Sequence, residues 1–411
     1  MGFGLHQHGT LDLDRAGERR GRERAMTYAG GRRILDADSH LMELPDFLTR
    51  HASGAMRDRI PRIGEVRIVA DGIRMREYRG RLGHPPEVVE KLTALGDDLT
   101  RGPKWHDALG AFNTAERGTA LTLLGFERQV VFSSFCGRRI FGERDLDIAY
   151  AAAGAHNRAM AEFCDGEPRL MGVAMVPLTD PGRALAEIDA ALELGLQAIW
   201  IASDAPGGRS PGHPDHEAIW ATLAERRVPF LLHVGSSPLY IDDEWMNDGH
   251  SERQSARGRA EVMGSKDLSV VFHSAQRFIS VLILDGVLEQ FPDLRGGVIE
   301  LGAGWVPDTL RRLDHAVDIW ARSEPHLGEM ERKPSEQARE QLRFTPYAFE
   351  NAGRLIEESA AELYLFSTDY PHAEGGRDPL GRFSRSLEGM DEGTLDRFFA
   401  RNFLDLYRNV A

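Results

Sequence analysis

The sequence predicts an α/β chain closed into a (β/α)8 barrel. Eight short apolar runs, ILDADSH, QVVFSSF, LMGVAMVPL, AIWIAS, VPFLLHVGSS, GGVIELGAG, LRFTPYAF and LYLFSTDYPH, are each followed by sequence of helical character. They are nearly continuous in hydrophobicity, as parallel strands covered on both faces are. A doubly wound sheet fits less well, because eight such units exceed its usual count and no G-x-G-x-x-G follows the first run.

The helices between the runs are predicted from apolar spacing at i, i+3 and i+4, with Asp or Asn near the start and Gly or Pro at the end. They are DLDIAYAAAGAHNRAMAEFC, DPGRALAEIDAALELG, PDHEAIWATLAERR, SVLILDGVLEQFP, WVPDTLRRLDHAVDIWARS and ENAGRLIEESAAE. Two stretches do not fit the alternation. Residues 50–118 are polar, Arg-rich and broken by Gly and Pro, and read as an insertion with short helices. Residues 236–272, between the fifth strand and its helix, are long enough for a lid or substrate wall. Residues 1–30 read as a disordered extension, with Met26 a candidate start beside Met1, so residues 31–411 form one barrel domain.

Composition narrows the function classes. Lys and Arg number 50 against 64 Asp and Glu, a formal net charge of −14. Such a balance disfavours nucleic acid and anionic membrane and leaves small molecules as the expected ligands. The two cysteines, Cys136 and Cys164, form no close pair and read as buried thiols. No uninterrupted run of about 18 apolar residues occurs and the N-terminus has no signal-peptide core, so a cytoplasmic enzyme is expected.

The polar residues that break the apolar runs fall at strand ends. Asp38 and His40 close the first strand, His233 the fifth and Asp369 the eighth, while Glu300 stands at the end of the sixth. In a barrel these ends converge on one mouth. Residues 38 and 40 point to the same side of a strand, so both reach inward. Two imidazoles and three carboxylates about one point make a site for a first-row divalent metal. Asp36 reads as structural, out of phase with that pair if the strand bends. His156 and Asn157, on the helix after the second strand, also read as structural.

ILDADSHLMEL, FLLHVG, LILDGVLEQFPDLRGGVIELGAGWVPDTLRRLDH and LYLFSTDYPH together resemble the amidohydrolase-related superfamily that contains aminocarboxymuconate semialdehyde decarboxylase and the dihydroxybenzoate decarboxylases. The resemblance covers roughly residues 33–408 and implies a distorted (β/α)8 TIM barrel of the metal-dependent hydrolase type. It places the mononuclear metal ligands on Asp38, His40, His233 and Asp369. The departure is at strand six, where the family carries a His-Gly pair and this chain carries Glu300.

Glu43, three residues past His40, and His273, in VVFHSAQRF, enlarge the set to seven candidate ligands: Asp38, His40, Glu43, His233, His273, Glu300 and Asp369. That number suits two metals with Glu300 bridging. The chain then resembles a smaller branch of the superfamily, that of non-haem di-iron monooxygenases in platensimycin and platencin biosynthesis. This resemblance implies two Fe ions, O2, an external electron donor and a bulky apolar, diterpenoid-type acyl substrate. The other expectation is a decarboxylase or hydrolase of a small carboxylic acid with one Zn or Mn, in which Glu300 and His273 move protons. The wider family also implies a homodimer.

Overall fold

The computed structural model describes residues 27–63, 77–78, 80–236, 241, 243–250 and 265–410. Most of the proposed N-terminal extension and much of the 236–272 insertion lie outside those residues.

Seven parallel strands follow one another around the sheet in chain order: β1 (Leu35–Leu41), β2 (Arg128–Ser133), β3 (Leu170–Met175), β4 (Ala198–Trp200), β5 (Phe230–His233), β6 (Gly296–Ile299) and β7 (Leu342–Phe344). Sequential parallel neighbours are what right-handed strand-helix-strand units produce when they curl in one direction. The eighth run closes the ring as an irregular segment. Tyr364 bridges to Phe344 on β7 and Tyr370 to Ser39 on β1, both in parallel. Leu365 N–H donates to the Phe344 carbonyl (2.9 Å), and on the other side Ala37 N–H donates to Phe366 (3.1 Å) and His40 N–H to Tyr370 (2.8 Å).

The expected helices form. Leu146–Cys164 is capped by Asp145, Pro181–Glu193 by Asp180 and Ala352–Glu358 by Asn351, each through a side-chain oxygen on an early N–H. His273–Leu284 and Val306–Trp320 lay apolar faces on the barrel. The stretch Ser265–Leu284 is by length and composition apolar enough to cross a membrane. Here Phe278, Ile279, Leu282 and Ile283 are buried, so it packs as a core helix.

Sheet packing is tight enough to demand glycine. A Cβ on Gly296 would stand 2.2 Å from the Phe230 ring of the adjacent strand, well inside van der Waals contact. The 50–118 region holds the short helices Phe47–His51 and Pro86–Thr93 before Thr114–Leu124. A buried chain ties it to the barrel: His84 Nδ1 meets Glu116 Oε2 at 2.6 Å, His84 Nε2 meets the His106 carbonyl at 2.8 Å, and His106 Nε2 meets the Glu43 carbonyl at 3.2 Å.

Candidate metal centre

A bulge in β1 sets the site. Asp36 pairs with Gln129 but Ser39 with Val131, so β1 spends one residue more than β2 over the same span. The bend sends Asp36 away from Asp38 and His40. Asp36 accepts hydrogen bonds from Thr368 N–H (2.8 Å), Thr368 Oγ1 (2.5 Å) and Gln129 Nε2 (2.9 Å), pinning β1 to β2 and to the closing segment. Burial raises its carboxyl pKa to about 7, against those hydrogen bonds. It is a structural acid, because the bulge takes it out of phase with Asp38 and His40.

Asp38 and His40 turn to the mouth. His40 Nε2 stands 3.4 Å from Asp38 Oδ1, 3.3 Å from Asp369 Oδ1 and 3.7 Å from Glu300 Oε2. His233 Nε2 stands 3.4 Å from Asp38 Oδ1 and 3.3 Å from Glu300 Oε2. Asp38, His40, His233 and Glu300 each offer a ligand atom within one small sphere, and His40, Asp369 and His372 do the same beside it. His233 Nδ1 lies 2.9 Å from the Val234 carbonyl, a contact that fixes Nε2 as the free nitrogen.

The donor set fits a cation. Both ring nitrogens of His40, Glu300 Oε2 and both Asp369 oxygens are buried without a hydrogen-bond partner, a costly arrangement for groups that meet nothing else. Burial pushes Asp369 well above the usual carboxylate range, and the Glu300 and Asp38 charges push the same way. Asp38 shifts down despite its burial, because His233 and His40 face it. Burial works against the charged form of His40, but Asp38 and Glu300 outweigh it and hold its pKa up at about 9. A divalent ion would relieve this crowding with oxygen and imidazole ligands of the manganese or zinc type.

Two of the five residues carry backbone strain. Glu300 (φ 54°) and Asp369 (φ 55°) both occupy the left-handed region, rare for residues other than glycine. Glu300 is held there by its N–H on Thr345 Oγ1 (2.9 Å) and by the Tyr347 hydroxyl on its carbonyl (3.0 Å). Asp369 is held by its N–H on the Asp38 carbonyl (2.9 Å). Gly375 packs so closely there that a Cβ on it would lie 2.1 Å from the Thr368 carbonyl oxygen.

The structure does not gather Glu43 or His273. Glu43 is buried, and its carboxylate accepts the N–H groups of Ser134, Phe135 and Cys136 at 2.9, 2.9 and 3.1 Å. The chain turns after Leu41, so the acid that seemed to reach back over the mouth instead holds the turn after β2. His273 is the first residue of its helix, exposed, with its ring against Phe272. Neither residue joins a ligand group among the described residues.

Three contributors escaped sequence reading. His372 stacks on His40 with ring centroids 3.8 Å apart, and Ser134 Oγ lies 2.8 Å from His372 Nε2. Arg117 is fully buried behind β1, where it donates to the carbonyls of Gly110 (2.7 Å) and His40 and to Gln129 Oε1 (3.0 Å). Only His372 leaves a trace in the sequence, as the residue ending DYPH, where it reads either as lining the pocket or, preferably, as capping a turn.

Comparison with known proteins agrees with this fold. A family model described as Amidohydrolase matches residues 129–408. No curated protein matches the sequence. Among solved structures, an amidohydrolase from Mycobacterium avium subsp. paratuberculosis K-10 is 22% identical, with TM-score 0.69 over 92% of this chain and 99% of that one. A dihydroxybenzoic acid decarboxylase from Polaromonas sp. JS666, with bound manganese and 2-nitroresorcinol, is 18% identical with TM-score 0.58 over 92% and 98%. A 5-carboxyvanillate decarboxylase from Novosphingobium aromaticivorans DSM 12444, complexed with manganese and 4-hydroxy-3-methoxy-5-nitrobenzoic acid, is 19% identical with TM-score 0.59 over 93% and 98%. These likenesses establish the barrel fold.

Proposed function

The chain belongs to the Amidohydrolase family, whose model spans residues 129–408, and from that premise we propose a divalent-metal-dependent enzyme that decarboxylates a small carboxylic acid. The observation that carries the reading is the convergence of Asp38, Glu300 and Asp369 on Nε2 of His40, at 3.4, 3.7 and 3.3 Å. Asp38, His40, His233 and Asp369 would hold one ion, of the manganese class carried by the two decarboxylases.

A bound divalent ion supplies positive charge that orients an anionic substrate and stabilises the electron density left on carbon. Decarboxylation breaks the bond to the carboxyl group, releases carbon dioxide and puts a proton in its place. Glu300 stands at the end of β6, where the family resemblance implies an imidazole. Of the five cluster side chains it keeps the largest exposure, 11%, so it is the one placed to meet substrate and carry that proton.

The monooxygenase reading needs a second iron held by Glu43 and His273, and the observed positions of both residues favour the non-oxidative reading. The test is metal analysis on protein purified without added metal, with carbon dioxide release from 2,6-dihydroxybenzoate and 5-carboxyvanillate measured under argon. Manganese or zinc with undiminished anaerobic turnover supports the proposal. Two irons with strict dependence on O2 would overturn it. Glu300→Gln is expected to lower turnover at least 100-fold.

A further inference from the structure

We propose a second small-molecule site on the outer side of β1, a cavity that takes an amphipathic carboxylate with its apolar end inward and its charge at the lip. The site goes beyond the reaction proposed above and uses none of the metal-centre side chains.

The cavity measures about 270 Å³ and lies among the end of β1, the helices Phe47–His51 and Leu146–Cys164, and the start of Thr114–Leu124. Leu41, Met42 and Leu44 line it on the β1 side. Successive side chains of a strand point to opposite faces, so Ser39 and Leu41 face away from Asp38 and His40. Ser39 Oγ accordingly meets Arg117, on the helix outside the sheet, at 3.4 Å. The cavity therefore backs the wall whose front carries the metal-centre residues.

Its other walls suit hydrocarbon. Phe47, Phe112 and Phe163 face it, and the polar side chains beside them are already partnered. Thr114 Oγ1 donates to the Phe163 carbonyl (2.6 Å), while Asn113 donates to the Leu82 carbonyl (2.7 Å) and accepts from Glu116 N–H (2.9 Å). A volume of 270 Å³ equals about nine waters at ~30 Å³ each, enough for an eight-carbon chain.

The lip is cationic. Arg50 is shared by Asp46 (3.2 Å) and Glu162 (3.8 Å), and His51 Nε2 lies 3.1 Å from Glu162 Oε2, so the carboxylate at the cavity is taken. Arg81 is exposed, lays its guanidinium over the Tyr78 ring (5.3 Å) and forms no ion pair among the described residues. Next to it Leu82 is 79% exposed, apolar surface that a bound chain would cover. A neutral hydrocarbon would leave Arg81 without a counter-charge, and a small hydrophilic anion would leave Leu82 and the phenyl rings uncovered. A carboxylate on an apolar body meets both needs. Phe163 also packs against the guanidinium of Arg117 (5.7 Å), which donates to the His40 carbonyl, so an occupant rests on the brace behind the metal centre.

Octanoate is the probe, titrated into the purified protein by isothermal calorimetry with octanol in parallel. One octanoate per chain is expected, with Kd about 0.1–1 mM, and octanol is expected to bind at least about 10-fold more weakly. Ala159→Phe, which puts a ring into the cavity from the helix Leu146–Cys164, is expected to abolish binding. Arg81→Met, a change at an exposed position, is expected to weaken it about 10-fold and carries the test if Ala159→Phe misfolds. Glu300→Gln, at the metal centre, is expected to bind octanoate as wild type does, which separates this site from the mouth of the barrel. No binding by wild type, equal affinity for octanol, or equal affinity in wild type and Arg81→Met overturns the inference. Undiminished binding by folded Ala159→Phe, or loss of binding in Glu300→Gln, overturns it as well. None of these readouts involves turnover, so the proposed function is judged separately.

Discussion

The guanidinium of Arg117 donates a hydrogen bond to the main-chain carbonyl of His40, from inside the barrel wall. It also reaches the Gly110 carbonyl and Gln129 Oε1 and packs against the ring of Tyr370 (5.4 Å). One buried side chain thus braces the residues following both Ser39 and Asp369. Lysine cannot reproduce the fork. Arg117→Lys is expected to destabilise the fold by about 2–4 kcal/mol, by leaving buried acceptors unmet, and to weaken Mn2+ binding. Urea unfolding of the metal-free protein and a Mn2+ titration check the two parts separately.

Glu43 is expected to be a structural acid. In Glu43→Gln one oxygen becomes an amide that donates where a main-chain N–H already donates, at a cost of about 1–3 kcal/mol. The ion should remain, because this side chain does not join the ligand group. Loss of that ion in metal analysis of the variant would make Glu43 a ligand after all.

His156 provides a pH dependence remote from the metal. It is buried, its Nδ1 meets Asn157 Oδ1 at 2.9 Å and its Nε2 has no partner. Burial lowers its pKa from 6.5 to about 4, against the Asn157 contact. A group depressed on folding is favoured neutral, so its stabilising contribution is complete above pH 6.5 and is lost as pH falls toward and through 4. His156→Leu should remove a part of the acid destabilisation worth up to about 3 kcal/mol. The check is the difference in unfolding free energy between variant and wild type at pH 7.5 and pH 4.5. A difference that does not change with pH would refute it.

The left-handed conformation of Glu300 sets stability against function. Asparagine tolerates that conformation better than glutamate, and its shorter, neutral amide removes the carboxylate from the cluster. Glu300→Asn is expected to raise the melting temperature of the metal-free protein, by up to about 1 kcal/mol of relieved strain and repulsion, while lowering Mn2+ affinity. A fall in melting temperature would show that the backbone is unstrained there.

Sequence reading located Asp38, His40, His233, Glu300 and Asp369 because a polar side chain closing an apolar strand has only the mouth to enter. The eight-fold alternation was equally plain, although the eighth run pairs through Tyr364 and Tyr370 and not along a continuous ladder. Glu43 misled because spacing along the chain says nothing of the turn after Leu41, which brings its carboxylate to three main-chain N–H groups in the turn that follows β2. Arg117 and Ser134 left no signal, since their partners are main-chain carbonyls and a histidine remote in sequence. His372 was visible in DYPH, but its meaning depends on Ser134, 238 residues away.

The barrel seam runs between β1 and the segment Tyr364–Tyr370, so the metal cluster straddles the two ends of the domain. A ribosome that has made the chain through Glu300 has presented Asp38, His40, His233 and Glu300 but not Asp369, and the curled sheet is still open beside Asp38. The carboxylates of Asp38 and Glu300 would therefore stay open to water until the segment Tyr364–Tyr370, near the C-terminal end, is synthesised. Metal capture at the proposed site would then wait for the end of synthesis, and a chain truncated before residue 369 should emerge open-edged and prone to aggregation.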